Sequence, residues 1–545
     1  MRKVILPDNV IGPSDYLPEK IFTLPELTRY PYNINLADYL VGRSAARYPD
    51  KVAIYYKDTK ITYRQLWLQV NRLANGLRSI GLGEFDRIML MGTNCPEWII
   101  ANMACWKIGA IPVLVNHLVK YDEIIYRATD SGAKAIICSV ACLNEVEKAD
   151  LPSLKKIVYG GKADASNCVA FEELIREQSD TAPSASTTLD HVGRLIYSSG
   201  TTGRPKGIIS TVHDILAATD THGRYVLKIK ENDILGGHPY FSFAFGSVNF
   251  TFYPWRFGAS ISIIERFEPE EMFHTIENHG VTMLFCVPTA FNMMLNVSEP
   301  HEECMKTVRL CQSAGEPLNV KTYKEWKKRY NVEIINSLGS GDLMYWLSTY
   351  EGMPEEKIGS VGTTVPGFAN KVVGEDFSEL PRGKPGELLV KGPCGQVYWN
   401  KPEKQVNAVW QGWNRPGLYM YQDEDGFFWY LSRTDDIIVT SGYKIPCGEV
   451  ENALNQHPAV LESAVVPSPD PVRGSIIKAF VVLNEGFDPS PELENELRSF
   501  VKEKIEDYKS PRKIVFARAD ELPRTTTGKI QRNVLREREE KQNNL

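Results

Sequence analysis

The sequence predicts an α/β protein in two parts, a large N-terminal domain of layered α/β sheets and a small α+β domain at the C-terminal end. Three observations carry this. The chain has 545 residues, too many for one hydrophobic core. Short apolar runs alternate with amphipathic stretches up to about residue 400, as in a parallel sheet covered on both faces. Over the last ~110 residues the pattern changes to a few strand-like runs separated by two helical ones.

The elements come in this order. Residues 1–35 are rich in proline and tyrosine and are expected to wrap a surface. Thr62-Tyr63-Arg64-Gln65 forms a capping box, and Leu66, Val70, Leu73, Leu77 and Ile80 succeed it at helical spacing until Gly81 stops the helix. Residues 87–91 suit a buried strand, 96–108 a helix, 111–116 a strand, 121–132 a helix and 133–138 a strand. In the C-terminal part, 435–439, 459–466 and 476–483 are strand-like. A helix is expected after Ser490-Pro491, with Leu493, Leu497, Phe500 and Val501 on one face. A boundary at Thr434-Asp435 divides the chain into 1–434 and 435–545, and the tail 536–544 reads as a solvated, frayed end.

Net charge is 62 − 68 = −6, which gives no electrostatic case for nucleic acid as the main partner. Ten cysteines with no CxxC spacing read as reduced thiols of a cytoplasmic protein. The first twenty residues hold only a short apolar core broken by prolines, which is no signal peptide. No run approaches ~18 uninterrupted apolar residues, so no membrane span is expected.

The chemistry concentrates in "YSSGTTGRPKG", residues 197–207. Its glycines free backbone N–H groups for an anion nest, Ser198, Ser199, Thr201 and Thr202 add hydroxyls, and Lys206 adds a charge. It is not a Walker A loop, because Pro205 precedes Lys206 and Gly207 comes directly after it, so no helix begins there.

In its residue order this loop resembles the phosphate loop of the adenylate-forming (ANL) superfamily. The likeness extends over nearly the whole chain. The stretches 94–116, 121–137, 313–318, 383–393, 432–445, 448–454 and 522–532 are similar to the acyl-CoA synthetase branch, and "FAFG" (243–246) resembles the "FAYG" of benzoate-type ligases. The resemblance implies a mobile C-terminal domain and an acid–thiol ligase working in two half-reactions. A carboxylate attacks the α-phosphate of ATP, then a thiol, usually that of coenzyme A, displaces AMP. ATP, Mg²⁺ and coenzyme A are the implied cofactors. A carrier protein as acceptor and a homodimer remain open alternatives.

Roles carry over by position. Lys529 matches the catalytic lysine that bridges carboxylate and α-phosphate. Ser198, Thr201, Thr202, Gly203 and Lys206 would hold the phosphates. Gly315, Glu316, Pro317, Leu338, Gly339, Gly341, Leu418 and Arg433 fall on the rest of the nucleotide site, and Asp342 on the metal position. Phe241, Phe243, Phe245, Gly246, Ala314 and Gly315 fall on the acyl pocket, the three phenylalanines alternating as on a strand. Asp435 is the hinge, and Ser441, Gly442, Tyr443 and Lys444 would border the thiol path. Ala244 stands where amino-acid-activating members carry an aspartate, which favours a plain aryl or medium-chain aliphatic acid.

Three positions depart from the pattern, and all three are expected on AMP. The threonine that bonds the α-phosphate is Gly341, the metal-binding glutamate is Asp342, and the ribose-binding aspartate is Leu418. Losing the threonine and ribose hydrogen bonds forfeits on the order of 4–6 kcal/mol of AMP binding if nothing compensates. That leaves two alternatives to a full ligase. One is a relative that is poor at adenylation and transfers a preformed acyl-adenylate to coenzyme A or a carrier protein. The other is a non-catalytic paralogue that holds an acyl ligand or nucleotide.

Overall fold

The computed structural model describes residues 14–161, 168–198, 204–299, 301–316, 318–440, 443–470, 474–524 and 530–543. The chain forms two compact units. The first comprises Met1–Ser198, Lys206–Asn370 and Val390–Asn414, and the second includes Lys371–Leu389 and Arg415–Leu545.

The first unit carries two sheets. One has the strand order Cys168–Ala170, Lys155–Tyr159, Ala135–Ser139, Arg87–Gly92, Ile111–Asn116, Val192–Ser198, Lys206–Thr211. These strands are parallel except at the last pair, where Ser198 stands opposite Lys206 across an antiparallel hairpin. The strands are buried over nearly their whole length, which is why they read as continuous apolar runs instead of alternating ones. The capping box forms as expected at Thr62 and Gln65, and helix Tyr63–Ser79 buries Leu66, Val70, Leu73 and Leu77. Gly132 ends helix Tyr121–Ser131 in the left-handed conformation that glycine adopts without strain.

The second sheet sets the site. Its middle strands are Leu310–Ala314, Met283–Phe285, Ile234–Gly237 and Ser260–Ile263, all parallel, with Ile334–Ser340 parallel beside the first. Strand Met344–Ser348 then runs antiparallel to Ile334–Ser340. The register places Gly237 beside Phe285, Phe285 beside Gln312, and Ala314 beside Ser337. The loops after these four parallel strands therefore leave neighbouring carboxyl ends, the place where open α/β sheets bind ligands.

The second unit is α+β. Strand Val460–Asp470 pairs antiparallel with Gly474–Leu483, which pairs parallel with Lys513–Phe516. Ser490 caps helix Pro491–Lys504, which buries Leu493, Leu497 and Val501 as the sequence spacing indicates. The compact units do not divide at 434/435. Strand Leu418–Gln422 pairs with Phe428–Arg433, and helix Cys447–Leu454 packs so close to the latter that a Cβ on Gly448 would lie 2.3 Å from the Leu431 carbonyl oxygen. Residues 415–434 thus group with residues 435–545.

The tail departs from expectation as well. Residues Arg532–Asn543 form a helix, and Glu539 is buried on it. Its carboxylate accepts from Lys478 Nζ at 2.5 Å and Ser468 Oγ at 2.9 Å, so this end is docked by a buried ion pair. Among the described residues no helix is long and apolar enough to cross a membrane.

Candidate active site

Four segments of the first unit come together at the strand ends. Ser198 ends its strand opposite Lys206, which begins the next one. Thr201, Thr202 and Gly203 lie outside the described residues, as do Pro317, Ser441, Gly442 and Lys529. Lys206 Nζ sits 4.4 Å from the centre of the Tyr398 ring, a cation–π distance. Ala314 is buried at the end of its strand, and Gly315 comes next at φ +91°, where among the described residues a Cβ would meet only Val287, at 4.0 Å. Glu316 accepts from Thr289 Oγ1 at 3.1 Å.

The next strand end supplies Leu338, Gly339, Ser340, Gly341 and Asp342. Gly339 is required by close approach, since a Cβ there would meet the Met344 carbonyl at 2.3 Å and the Tyr345 ring at 2.6 Å. Among the described residues a Cβ at Gly341 would meet only methyl ends, Ile196 at 3.2 Å and Ile208 at 3.3 Å. Asp342 is turned inward at 4% exposure, with Oδ1 accepting the Leu343 N–H at 3.0 Å and the Ser340 hydroxyl. One oxygen of this carboxylate is engaged in its own turn, and Asp342 is assigned no step in the reaction.

The acyl segment corrects the strand reading. Phe241, Phe243 and Phe245 do not alternate along a strand, because 240–243 is a turn and Ala244–Gly246 begins a helical run. Sequence alternation was misleading here because Gly246 allows the run to fold back, its Cβ position being only 2.1 Å from the Tyr240 carbonyl. Phe241 belongs to the core, against Trp98 and Phe250 at 5.5 and 5.8 Å. Phe243 and Phe245 are half-buried.

Two features were missed by motif reading. Arg194 lies in the apolar strand before the phosphate loop and is 1% exposed. Its guanidinium donates to Ser247 Oγ at 2.5 Å, Ser210 Oγ at 2.9 Å and the Gly341 carbonyl at 2.7 Å. It thereby ties the acyl helix and the Gly341 turn to the phosphate-loop strands. Burial lowers its pKa to about 10, partly offset by Asp214, Asp342 and other acidic groups. A lone arginine in an otherwise apolar run was the available signal. The second feature is His222, whose ring is hydrogen-bonded to Tyr253 and Ser337 at 3.1 and 3.0 Å.

Burial keeps two imidazoles neutral, lowering His222 to about 3 and His238 to about 4. The unfolded chain takes up both protons below about pH 6.5, whereas the folded one does not. Their contribution is therefore complete above that pH and is lost as the pH falls, at about 2.7 kcal/mol per pH unit between about 6 and 4. His222→Gln and His238→Gln are each expected to reduce proton uptake on unfolding by about one in that window, measured from unfolding midpoints against pH.

The second unit carries the other predicted residues. Leu418 is Arg433's register partner across the antiparallel pair and is buried. Gly417 turns at φ +71° beside Thr434 and Arg433, and Arg433 Nε donates to Asp435 at 3.0 Å. Leu418, Arg433 and Asp435 are thus neighbours. Tyr443 is exposed and stacks on Tyr508 at 4.4 Å, while the Lys444 backbone lies in strand Tyr443–Pro446.

Residues 41–399 match the model for the AMP-binding enzyme family, and 449–529 match that for the AMP-binding enzyme C-terminal domain. The chain belongs to the AMP-binding enzyme family. It is 34% identical over 518 residues to an acetyl-coenzyme A synthetase of Bacillus subtilis (strain 168), covering 92% of this chain and 90% of the relative. It is 33% identical over 520 residues to a benzoate–CoA ligase of Thauera aromatica, covering 94% and 97%. Among solved structures, the anthranilate CoA ligase AuaEII in complex with anthranoyl-AMP superposes with a TM-score of 0.87 at 30% identity, covering 95% of this chain and all of that one. A benzoate CoA ligase from Burkholderia xenovorans LB400 gives 0.83 at 32%, covering 92% and 100%. The two-part α/β fold and the acyl-CoA synthetase branch read from the sequence are both borne out.

Proposed function

We propose that this AMP-binding enzyme joins an aryl or medium-chain carboxylic acid to coenzyme A through an acyl-adenylate. The observation that carries the reading is the convergence at adjacent strand ends of Gly315-Glu316, Leu338–Asp342 and the 238–246 segment. An acid and a nucleotide that must react need such shared ground.

In the first half-reaction a carboxylate oxygen attacks the α-phosphorus and the bond to pyrophosphate breaks. Anion meets polyanion, so positive charge must be present where the new bond forms. Lys529 is assigned that place, and Ser198, Thr201, Thr202, Gly203 and Lys206 the departing phosphates. In the second, a thiolate attacks the acyl carbon and AMP leaves with the carboxylate oxygen. Asp435 is assigned the hinge used between the steps, and Ser441–Lys444 the thiol path. Arg433 is assigned the ribose.

Arg194 is a positioning residue in this scheme. Arg194→Met leaves the Gly341 carbonyl without its charged donor, a bond worth roughly 1.5–3 kcal/mol. We expect kcat/KM for ATP to fall about 10- to 100-fold. Arg194→Lys should recover little, because one ammonium cannot span the three acceptors.

Incubation with ATP, Mg²⁺ and a panel of aryl and C4–C10 acids tests the reading by pyrophosphate release, alongside AMP release from synthetic acyl-adenylates plus coenzyme A. Activity in both assays is expected. Activity in the second alone favours transfer of a preformed adenylate, a reading supported by the inward-turned Asp342 and by Leu418. Silence in both contradicts catalysis and leaves the binding paralogue.

A further inference from the structure

Behind the acyl segment lies a group of buried polar side chains whose hydrogen-bonding capacity is not met among the described residues. Asn249 is 0% and Gln312 1% exposed. Asn249 Nδ2 donates to the Phe245 carbonyl at 2.9 Å and to the Tyr345 hydroxyl at 3.1 Å, yet its Oδ1 has no partner. Burial raises the pKa of the Tyr345 phenol, and Asn249 and then Gln312 beside it lower it; among the described residues neither Oε1 nor Nε2 of Gln312 meets hydrogen-bond geometry. Unpartnered buried amides are rare and call for an explanation.

Their positions tie them to the acyl segments. Gln312 is two residues before Ala314 on the same face of its strand. Tyr345 is the register partner of Gly339, with its ring against that glycine. Asn249 is anchored to Phe245. Around them His222 is neutral, bonded to Ser337, and its ring lies 4.4 Å from that of Tyr345. The charge of Arg194 is already directed at Ser210, Ser247 and Gly341. The open atoms are two carbonyl oxygens and one amide nitrogen, so they suit a neutral group that both donates and accepts.

We propose that the acid carries such a group, a hydroxyl or amide, on the end remote from its carboxylate, and that Gln312 and Asn249 receive it. This rests on the acyl-ligase reading and narrows it, since a wholly apolar acid would leave these amides unpaired. An ammonium is not favoured, because among the described residues no carboxylate bonds to these amides or to Tyr345.

The test uses matched pairs: benzoate against 3- and 4-hydroxybenzoate, and hexanoate against 6-hydroxyhexanoate. Thioester formation and equilibrium binding of each acid are measured with the full chain and with Gln312→Met. In at least one pair the hydroxylated acid should be preferred about 10²-fold or more, because a site built to bond a hydroxyl rejects the analogue lacking it. Gln312→Met should collapse that preference while still binding the unsubstituted acid. Equal or better use of the unsubstituted acid in every pair overturns the inference and leaves the ligase reading intact. A preference that survives Gln312→Met overturns the role of this residue. Absence of any thioester, with Gln312-dependent binding of the hydroxylated acid, contradicts the ligase reading and supports this one. Absence of any binding overturns it.

Discussion

Replacing Lys529 with alanine is expected to lower acid-dependent pyrophosphate release by about 10²- to 10³-fold, the usual effect of removing one preorganised group that stabilises transition-state charge. The carboxylate and the α-phosphate are both anionic, and their approach is the electrostatic obstacle of the first half-reaction. Thioester formation from a supplied acyl-adenylate involves no such encounter, since phosphate charge is released there and not gathered. That second reaction should therefore stay within about tenfold of the unaltered chain. Lys529→Arg should recover only part of the first, because a planar fork does not replace a compact point charge. Equal losses in both reactions would contradict the assignment, and so would no loss in either. The assays are pyrophosphate release and AMP release, run on the same preparations.

The largest gain is expected from Gly341→Thr combined with Leu418→Asp. Each change suits its surroundings. Among the described residues the Cβ of residue 341 would press only on the ends of Ile196 and Ile208, at 3.2 and 3.3 Å, which can give way by a few tenths of an ångström. A carboxylate at 418 would stand opposite Arg433 in the antiparallel register, beside a guanidinium already paired with Asp435. Together they restore the hydrogen bonds whose loss amounts to on the order of 4–6 kcal/mol. If adenylation is limited by nucleotide handling, kcat/KM for ATP should rise by about 10³- to 10⁴-fold. Steady-state kinetics with varied ATP, on a variant whose melting profile matches the unaltered chain, gives the answer. No gain in a well-folded variant would count against the roles given to these two positions.

Much of this was legible in the sequence because local rules and fold agree. Thr62 and Gln65 announced a helix start by their own hydrogen bonds, and Gly132 and Ser490 mark boundaries for equally local reasons. The phosphate loop was legible from residue order. What the sequence hid depends on partners distant in the chain. The Gly246 turn that removes Phe241 from the pocket requires the Tyr240 carbonyl at close range. Glu539 looked solvated because its partner Lys478 is 61 residues away. Asp342 was read as a metal ligand by position alone, and only the structure shows its Oδ1 bonded within its own turn. Arg194, Asn249 and Gln312 fell in no motif, and only their burial reveals them.

The central claim is that the acid is activated as its adenylate before sulfur attacks. A direct measurement uses an acid carrying ¹⁸O in its carboxylate, incubated with ATP, Mg²⁺ and coenzyme A, with mass analysis of the nucleotide and phosphate products. One carboxylate oxygen becomes the bridge to phosphorus and departs with AMP, so the account predicts one ¹⁸O in AMP for each thioester formed. Label in inorganic phosphate, or thioester formed with unlabelled AMP, would contradict it.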